Sequence, residues 1–134
     1  MRENNGMPAV LIVEDSENNA ATLEIAFLGV PGLRVLTAPS ATEALRILAN
    51  GDGESVRVIV TDLNMPRMDG FELIRRVRAS PNFSATPIIV VSADTDPATP
   101  ARIAALGVAA FFPKPFSPAE VRRKLEQLLD GTSH

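Results

Sequence analysis

Val56-Arg57-Val58-Ile59-Val60-Thr61-Asp62 is an apolar, β-branched run of strand length that stops abruptly on a hydroxyl and a carboxylate. Its apolar residues are nearly continuous, which suits a parallel strand covered on both faces and not a sheet with one wet side. Ala9-Val10-Leu11-Ile12-Val13 upstream and Ile88-Ile89-Val90-Val91 downstream follow the same pattern. Leu33-Arg34-Val35-Leu36 and Ala109-Ala110-Phe111-Phe112 complete a set of five predicted strands.

Helical patterns lie between these runs. Ala41, Ala44, Leu45 and Leu48 fall at i, i+3, i+4 and i+7 behind Ser40, with Glu43 placed for a capping box. The last helix has Ser117 as N-cap, Pro118 at its first position, Glu120 three residues after the cap and a Val121, Leu125, Leu128 stripe, with Gly131 as its expected stop. Shorter helices are predicted after Asp15 (Ala20, Leu23, Phe27), after Asp69 (Phe71, Ile74, Val77) and from Thr99-Pro100 (Ile103, Leu106, closed by Gly107). Five strands alternating with five helices predict right-handed βαβ units, hence a doubly wound (βα)5 parallel sheet between two helical layers. Gly51-Asp52-Gly53-Glu54-Ser55 reads as a turn, so residues 7–130 are expected to form one domain, with 1–6 and 131–134 as flexible tails.

Composition removes several classes of function. With 134 residues, 46% hydrophobic and 22% charged, the chain has the balance of one ordinary globular domain. A net charge of −3 from 13 basic and 16 acidic residues provides no basic stripe for direct nucleic-acid binding. No apolar run approaches the roughly 20 residues needed to span a bilayer, and no signal core is present, so a cytoplasmic protein with no membrane contact is expected. Cysteine is absent, which excludes thiolate chemistry, and the single histidine is the terminal His134, to which no role is given.

In an open parallel sheet the ligand crevice lies beyond the carboxyl ends of the strands. Glu14 and Asp15 follow the first run, Thr61 and Asp62 the third, Ser92 the fourth and, past Pro113, Lys114 the fifth. Taken singly these are helix caps and turn residues. Four strands delivering complementary groups to one edge point further, because clustered carboxylates repel unless a cation neutralises them. Hard oxygen donors without histidine or cysteine suit Mg²⁺ and a phosphate-bearing substrate. A strand-end carboxylate can accept a phosphoryl group, and Asp62 is the best placed nucleophile, with Lys114 and the Ser92 hydroxyl as partners for phosphoryl oxygens.

Glu14-Asp15, Asp62-Leu63-Asn64-Met65-Pro66 with Asp69-Gly70, Ser92-Ala93 and Lys114-Pro115-Phe116 together resemble the receiver domains of two-component response regulators, the CheY-like family, over residues 7–129. The resemblance implies a flavodoxin-like α/β fold with strand order 2-1-3-4-5. It makes Asp62 the phosphoacceptor and Asp15 a Mg²⁺ ligand, with Asn64 ligating through its carbonyl and Glu14 supporting the ion through water. Ser92 becomes the hydroxyl that moves toward the phosphoryl group, Lys114 the partner of the acceptor, and Lys114-Pro115 a cis bond. Phe111 falls at the family's switch aromatic, although by itself it reads equally as a core ring. Asn64 and Asp94 occupy positions that in this family modulate the lifetime of the phosphoryl group, while Met65-Pro66 and Gly70 shape the loop. Arg75, Arg76 and Arg78 are expected to form a solvated helix face.

The implied partners are a histidine kinase or histidine phosphotransfer protein as donor and a downstream protein as target. The readout surface would span residues 100–129, that is the fourth helix, fifth strand and fifth helix, where a homodimer could also form. Phosphoryl acceptance and slow dephosphorylation would be self-catalysed, without turnover of a separate substrate. Only residues 130–134 follow the last helix, so the expected output is a binding event, from a stand-alone receiver or a piece of a larger regulator or hybrid kinase. An aspartate-dependent phosphatase would need a second Asp where Asn64 stands. A nucleotide or flavin module would need a glycine-rich loop or stacking aromatics, in place of Glu14-Asp15-Ser16-Glu17 and a chain without Trp or Tyr. An interaction module that signals without phosphorylation would lack acceptor, metal or lysine positions, and all are present.

Overall fold

The structure, a computed structural model, describes residues 7–132. The five runs form strands β1 (Ala9–Val13), β2 (Arg34–Ala38), β3 (Val56–Thr61), β4 (Ile88–Ser92) and β5 (Ala110–Pro113). They alternate with helices α1 (Glu17–Phe27), α2 (Ala41–Ala49), α3 (Gly70–Ala79), α4 (Thr99–Ala105) and α5 (Pro118–Thr132). All strand pairs are parallel, in the order β2-β1-β3-β4-β5 expected for a flavodoxin-like (βα)5 sheet.

The three continuous runs are the three interior strands, and their alternating side chains feed two cores. Leu11, Val13, Ile59, Ile88 and Val90 pack on one face under α2, α3 and α4. Val10, Ile12, Val58, Val60, Ile89 and Val91 pack on the other under α1 and α5, through Leu23, Phe27, Val121 and Leu125. β2 and β5 lie at the edges and are only partly buried, which explains why their sequences tolerate Arg34 and Thr37.

Helix starts follow their caps. The Ser16, Ser40 and Ser117 hydroxyls accept from the backbone N–H groups of Asn19, Glu43 and Glu120, and the Asp69 carboxylate accepts from that of Glu72. The Glu43 carboxylate bonds to Arg46 at 2.8 Å. α5 departs from the expectation at its other end. It continues through Gly131 to Thr132, because Gly131 does not take the left-handed conformation that Gly107 (φ 72°) uses after α4. The rest of the expected tails, 1–6 and 133–134 with His134, lies outside the described residues. Gly51–Ser55 is a single 3-10 turn, within the expected connection.

The feature of the fold that matters most for the strand-end crevice is the approach of α3 to the loop after β3. The Gly70 N–H donates to the Leu63 carbonyl at 2.8 Å, and a Cβ on Gly70 would run into the Asp62 carbonyl oxygen. Leu63 is fully buried and Met65 nearly so, which ties this loop to the core. Gly70→Ala is therefore expected to lower the unfolding free energy by about 2 kcal/mol, as overpacking against backbone does, measured by urea unfolding. A midpoint unchanged from wild type would refute the close approach.

Candidate functional site

The sheet's hydrogen bonding continues one residue past the strands. The Glu14 N–H donates to Ala38 O at 3.0 Å, the Asp62 N–H to Val13 O at 3.1 Å, and the Lys114 N–H to Ser92 O at 3.0 Å. Glu14, Asp62 and Lys114 thus inherit the register of the sheet, so their side chains emerge at its carboxyl edge by construction.

There the charges meet. Lys114 Nζ lies 2.9 Å from Glu14 Oε1 and 2.9 Å from Asp62 Oδ2. Glu14 and Asp62 are both buried, at 4% and 7% exposure, and such carboxylates persist only when paired and hydrogen-bonded. Their other oxygens are also engaged: Glu14 Oε2 accepts from the Ser16 N–H at 3.2 Å, and Asp62 Oδ1 from the Leu63 and Asn64 N–H groups at 2.6 and 3.3 Å. Burial raises the Glu14 pKa above the ordinary glutamate value, more than the bonds from Lys114 and Ser16 lower it. Burial works against the Lys114 ammonium, but its bonds to Asp62 and Glu14 prevail and hold its pKa above the usual lysine value.

Asp15 stays exposed at the rim, and ligand oxygens of Glu14, Asp15 and Asp62 all lie within 4.8 Å of one another. When ionised, these three carboxylates face a single ammonium and leave two negative charges unbalanced. The donor set is all oxygen, so the site fits a hard divalent cation. Both oxygens of Glu14 and both of Asp62 already accept hydrogen bonds, whereas Asp15 stands exposed at the rim of the same cluster.

The remaining predicted residues surround this pocket. Ser92 is fully buried, with its Oγ accepting from the Asp94 N–H at 3.2 Å. Phe111 sits opposite Val90 in the β4–β5 register and packs, half-buried, against the α2, α3 and α4 core. Asn64 is exposed beside Asp62, and Lys114-Pro115 is cis. Arg67, in the same loop, has φ 69°, a left-handed conformation uncommon outside glycine.

Two features escaped the sequence. Arg75 and Arg76 do form a solvated face, each paired with Glu72, but Arg78 does not. It turns inward and donates to the carbonyls of Ser84, Thr86, Leu106 and Gly107 at 2.8 to 3.2 Å. The available signal was its spacing, i+4 from Ile74 and i+7 from Phe71, which puts it on the buried stripe. The second is Thr99, buried at the start of α4, whose hydroxyl donates to Asp94 Oδ1 at 2.9 Å.

Residues 10–126 match the family described as the response regulator receiver domain. The chain is 33% identical over 120 residues to the chemotaxis protein CheY homolog of Campylobacter jejuni, covering 90% of this chain and 91% of that one. It is 36% identical over 114 residues to the two-component response regulator ORR6 of Oryza sativa, covering 85% of this chain and 66% of that protein. Among solved structures, a response regulator receiver protein from Pseudomonas putida superposes with a TM-score of 0.81 at 32% identity, over 91% of this chain and 98% of that one. The chemotaxis protein CheY4 of Vibrio cholerae superposes with a TM-score of 0.78 at 31% identity, over 92% and 99%. The chain belongs to the response regulator receiver domain family.

The charge arrangement has two measurable consequences. Lys114→Ala removes the one partner shared by two buried carboxylates, with an expected loss of about 3 kcal/mol in urea unfolding, and a wild-type midpoint would contradict the bridge. Glu14 has the opposite linkage from most acids. Its raised pKa means the folded state binds its proton more tightly, so its contribution to stability is present below the ordinary value of 4.5 and is lost as pH rises through the folded value. In EDTA, Glu14→Gln is therefore expected to lose less stability than wild type as pH rises above 4.5. Parallel losses in the two proteins would show that burial does not dominate at Glu14.

Proposed function

We propose that this receiver domain accepts a phosphoryl group on Asp62 from a phosphohistidine and answers by altering a protein-binding surface. The observation that carries this reading is the Asp62 carboxylate itself, held 2.9 Å from an ammonium in an acidic pocket at the sheet edge. One carboxylate oxygen attacks phosphorus in line, the P–N bond to the donor imidazole breaks, and its electron pair leaves with the imidazole. Asp15, Asp62, the Asn64 carbonyl and, through water, Glu14 would hold Mg²⁺, which when bound offsets the charge on the transferring oxygens.

Lys114 keeps its proton and pairs with one phosphoryl oxygen, exchanging part of its present bond to Asp62 for a bond to the new anion. The Ser92 hydroxyl donates to a second, and Phe111 follows the movement as the switch aromatic. The switch is a population shift, because these contacts favour one of two arrangements. The domain is not an enzyme with a separate substrate. It catalyses its own acceptance and, slowly, its own loss of the group, as water attacks phosphorus and the Asp62 carboxylate is released.

The donor is a histidine kinase or a histidine phosphotransfer protein, and the location is cytoplasmic. Ile25 on α1 and Leu28 at its C-cap, 70% and 69% exposed, offer such a partner an apolar surface. The downstream target, or a second copy, would dock on α4, β5 and α5. Among the described residues no helix is long and apolar enough to cross a membrane.

Incubation with acetyl phosphate tests the acceptor, the P–O bond of the mixed anhydride breaking instead of P–N. With Mg²⁺ the intact mass of wild type should rise by one phosphoryl group, while Asp62→Asn, or wild type in EDTA, should not change. An unmodified wild type would overturn the reading. Asp15→Asn should weaken Mg²⁺ binding on the order of tenfold by calorimetry, and equal affinity would remove Asp15 from the site.

A further inference from the structure

α4 is the shortest α-helix among the described residues. It has seven residues, of which Thr99 and Ile103 are buried, and its preceding residue, Ala98, supplies no side-chain cap. Its far end is held from outside, by Arg78 on the Leu106 and Gly107 carbonyls and by the Arg102 guanidinium stacked 3.7 Å from the Phe71 ring centroid. At its near end the Thr99 N–H donates to the Asp96 carbonyl at 3.0 Å, and the Thr99 side chain adds a second hold.

The Thr99 hydroxyl is not used as a cap for its own helix. It points back along the loop and donates to Asp94 Oδ1 at 2.9 Å, and that same oxygen accepts from the Asp96 N–H at 2.8 Å. Asp96 in turn accepts from the Ala98 N–H at 2.9 Å, so the loop is a continuous string of short-range bonds. At its other end the Asp94 N–H donates to the Ser92 Oγ at 3.2 Å. A valine would fill the Thr99 site with nearly the same shape, so the hydroxyl is there for the bond and not for volume.

We infer that Thr99 is a positioning residue: through Asp94 it ties the seat of the Ser92 hydroxyl to the first turn of α4, so that displacing that hydroxyl and loosening α4 promote each other. The Ser92–Asp94 contact is already long for a hydrogen bond, and any turn of Ser92 toward the acidic pocket lengthens it further. Coupling of this kind is reciprocal, so freeing α4 also eases the movement of Ser92. Its use in signalling rests on the proposed phosphorylation of Asp62, whereas the tie itself exists in the unmodified domain.

Hydrogen exchange of the α4 amides, followed by peptide mass in the unmodified full chain, tests the tie directly. Thr99→Val and Ser92→Ala are each expected to speed exchange about fivefold, the equivalent of one hydrogen bond, while Thr99→Ser stays at the wild-type rate. The double variant Ser92→Ala/Thr99→Val should be no faster than either single variant, because both break one connection. Independent effects that multiply, or wild-type exchange in Ser92→Ala, would overturn the proposal. Acetyl phosphate with Mg²⁺ then separates the two readings. A wild type that gains no phosphoryl mass defeats the acceptor reading while the exchange cycle still decides the tie. A phosphorylated wild type should show α4 exchange rising toward that of unmodified Thr99→Val, and a phosphorylated protein whose α4 exchange stays put would defeat the tie as a signalling element.

Discussion

A single ammonium between two buried carboxylates organises this domain. Lys114 bonds to Glu14 and Asp62, residues 100 and 52 positions away, and so joins the ends of β1, β3 and β5 across the middle of the sheet. Burying any one of these charges alone would be costly, and the pair of carboxylates without the lysine would repel in a setting that screens poorly. The bridge makes the acidic edge tolerable without making it neutral. What remains unbalanced is negative, rigidly placed and open to solvent on the Asp15 side, which is the condition for holding a hard cation and an anionic group together.

Why the charges gather at this edge follows from topology. The chain leaves β1 toward β2 on one side and returns to β3 on the other, so the loops after β1 and β3 diverge and leave a crevice between them. Glu14, Asp15 and Asp62 are the first residues of those two loops. The ladder bonds that run past β1 and β3 then set their backbone to the precision of the sheet, and Gly70 lets α3 close onto the Asp62 carbonyl where a larger residue would push the loop away. Precision here comes from backbone packing, and the chemistry is laid on top of it.

This is also why so much was legible in the sequence. Strand identity and interior position could be read because β1, β3 and β4 are buried on both faces and their sequences are continuous in consequence. The polar residues of the crevice could be read because each ends its strand or follows it within a residue or two. Arg78 and Thr99 resisted reading for the opposite reason. Arg78 finds acceptors 28 and 29 residues away, on a turn whose position depends on the whole fold, and a lone arginine on an apolar stripe carries no mark of that. Thr99 looks like any residue before a proline, and only burial distinguishes it. Gly131 shows the converse error, since a glycine near a helix end stops the helix only if the backbone there turns left-handed.

Rigidity is unevenly distributed, and the unevenness bears on function. The carboxylates of the pocket follow β1 and β3, interior strands that are almost wholly buried and hydrogen-bonded on both sides, so the proposed new charge on Asp62 would meet a frame that yields little. α4, by contrast, is held at one end by loop hydrogen bonds that include the Thr99 hydroxyl and at the other by an arginine on two carbonyls, with Ile103 as its one buried apolar side chain. Local stability follows buried contact, so α4 is expected to open more readily than β3 or β4. If Asp62 takes up a phosphoryl group as proposed, the loop from Ser92 to α4 would give that electrostatic change a lightly held element in which to be expressed.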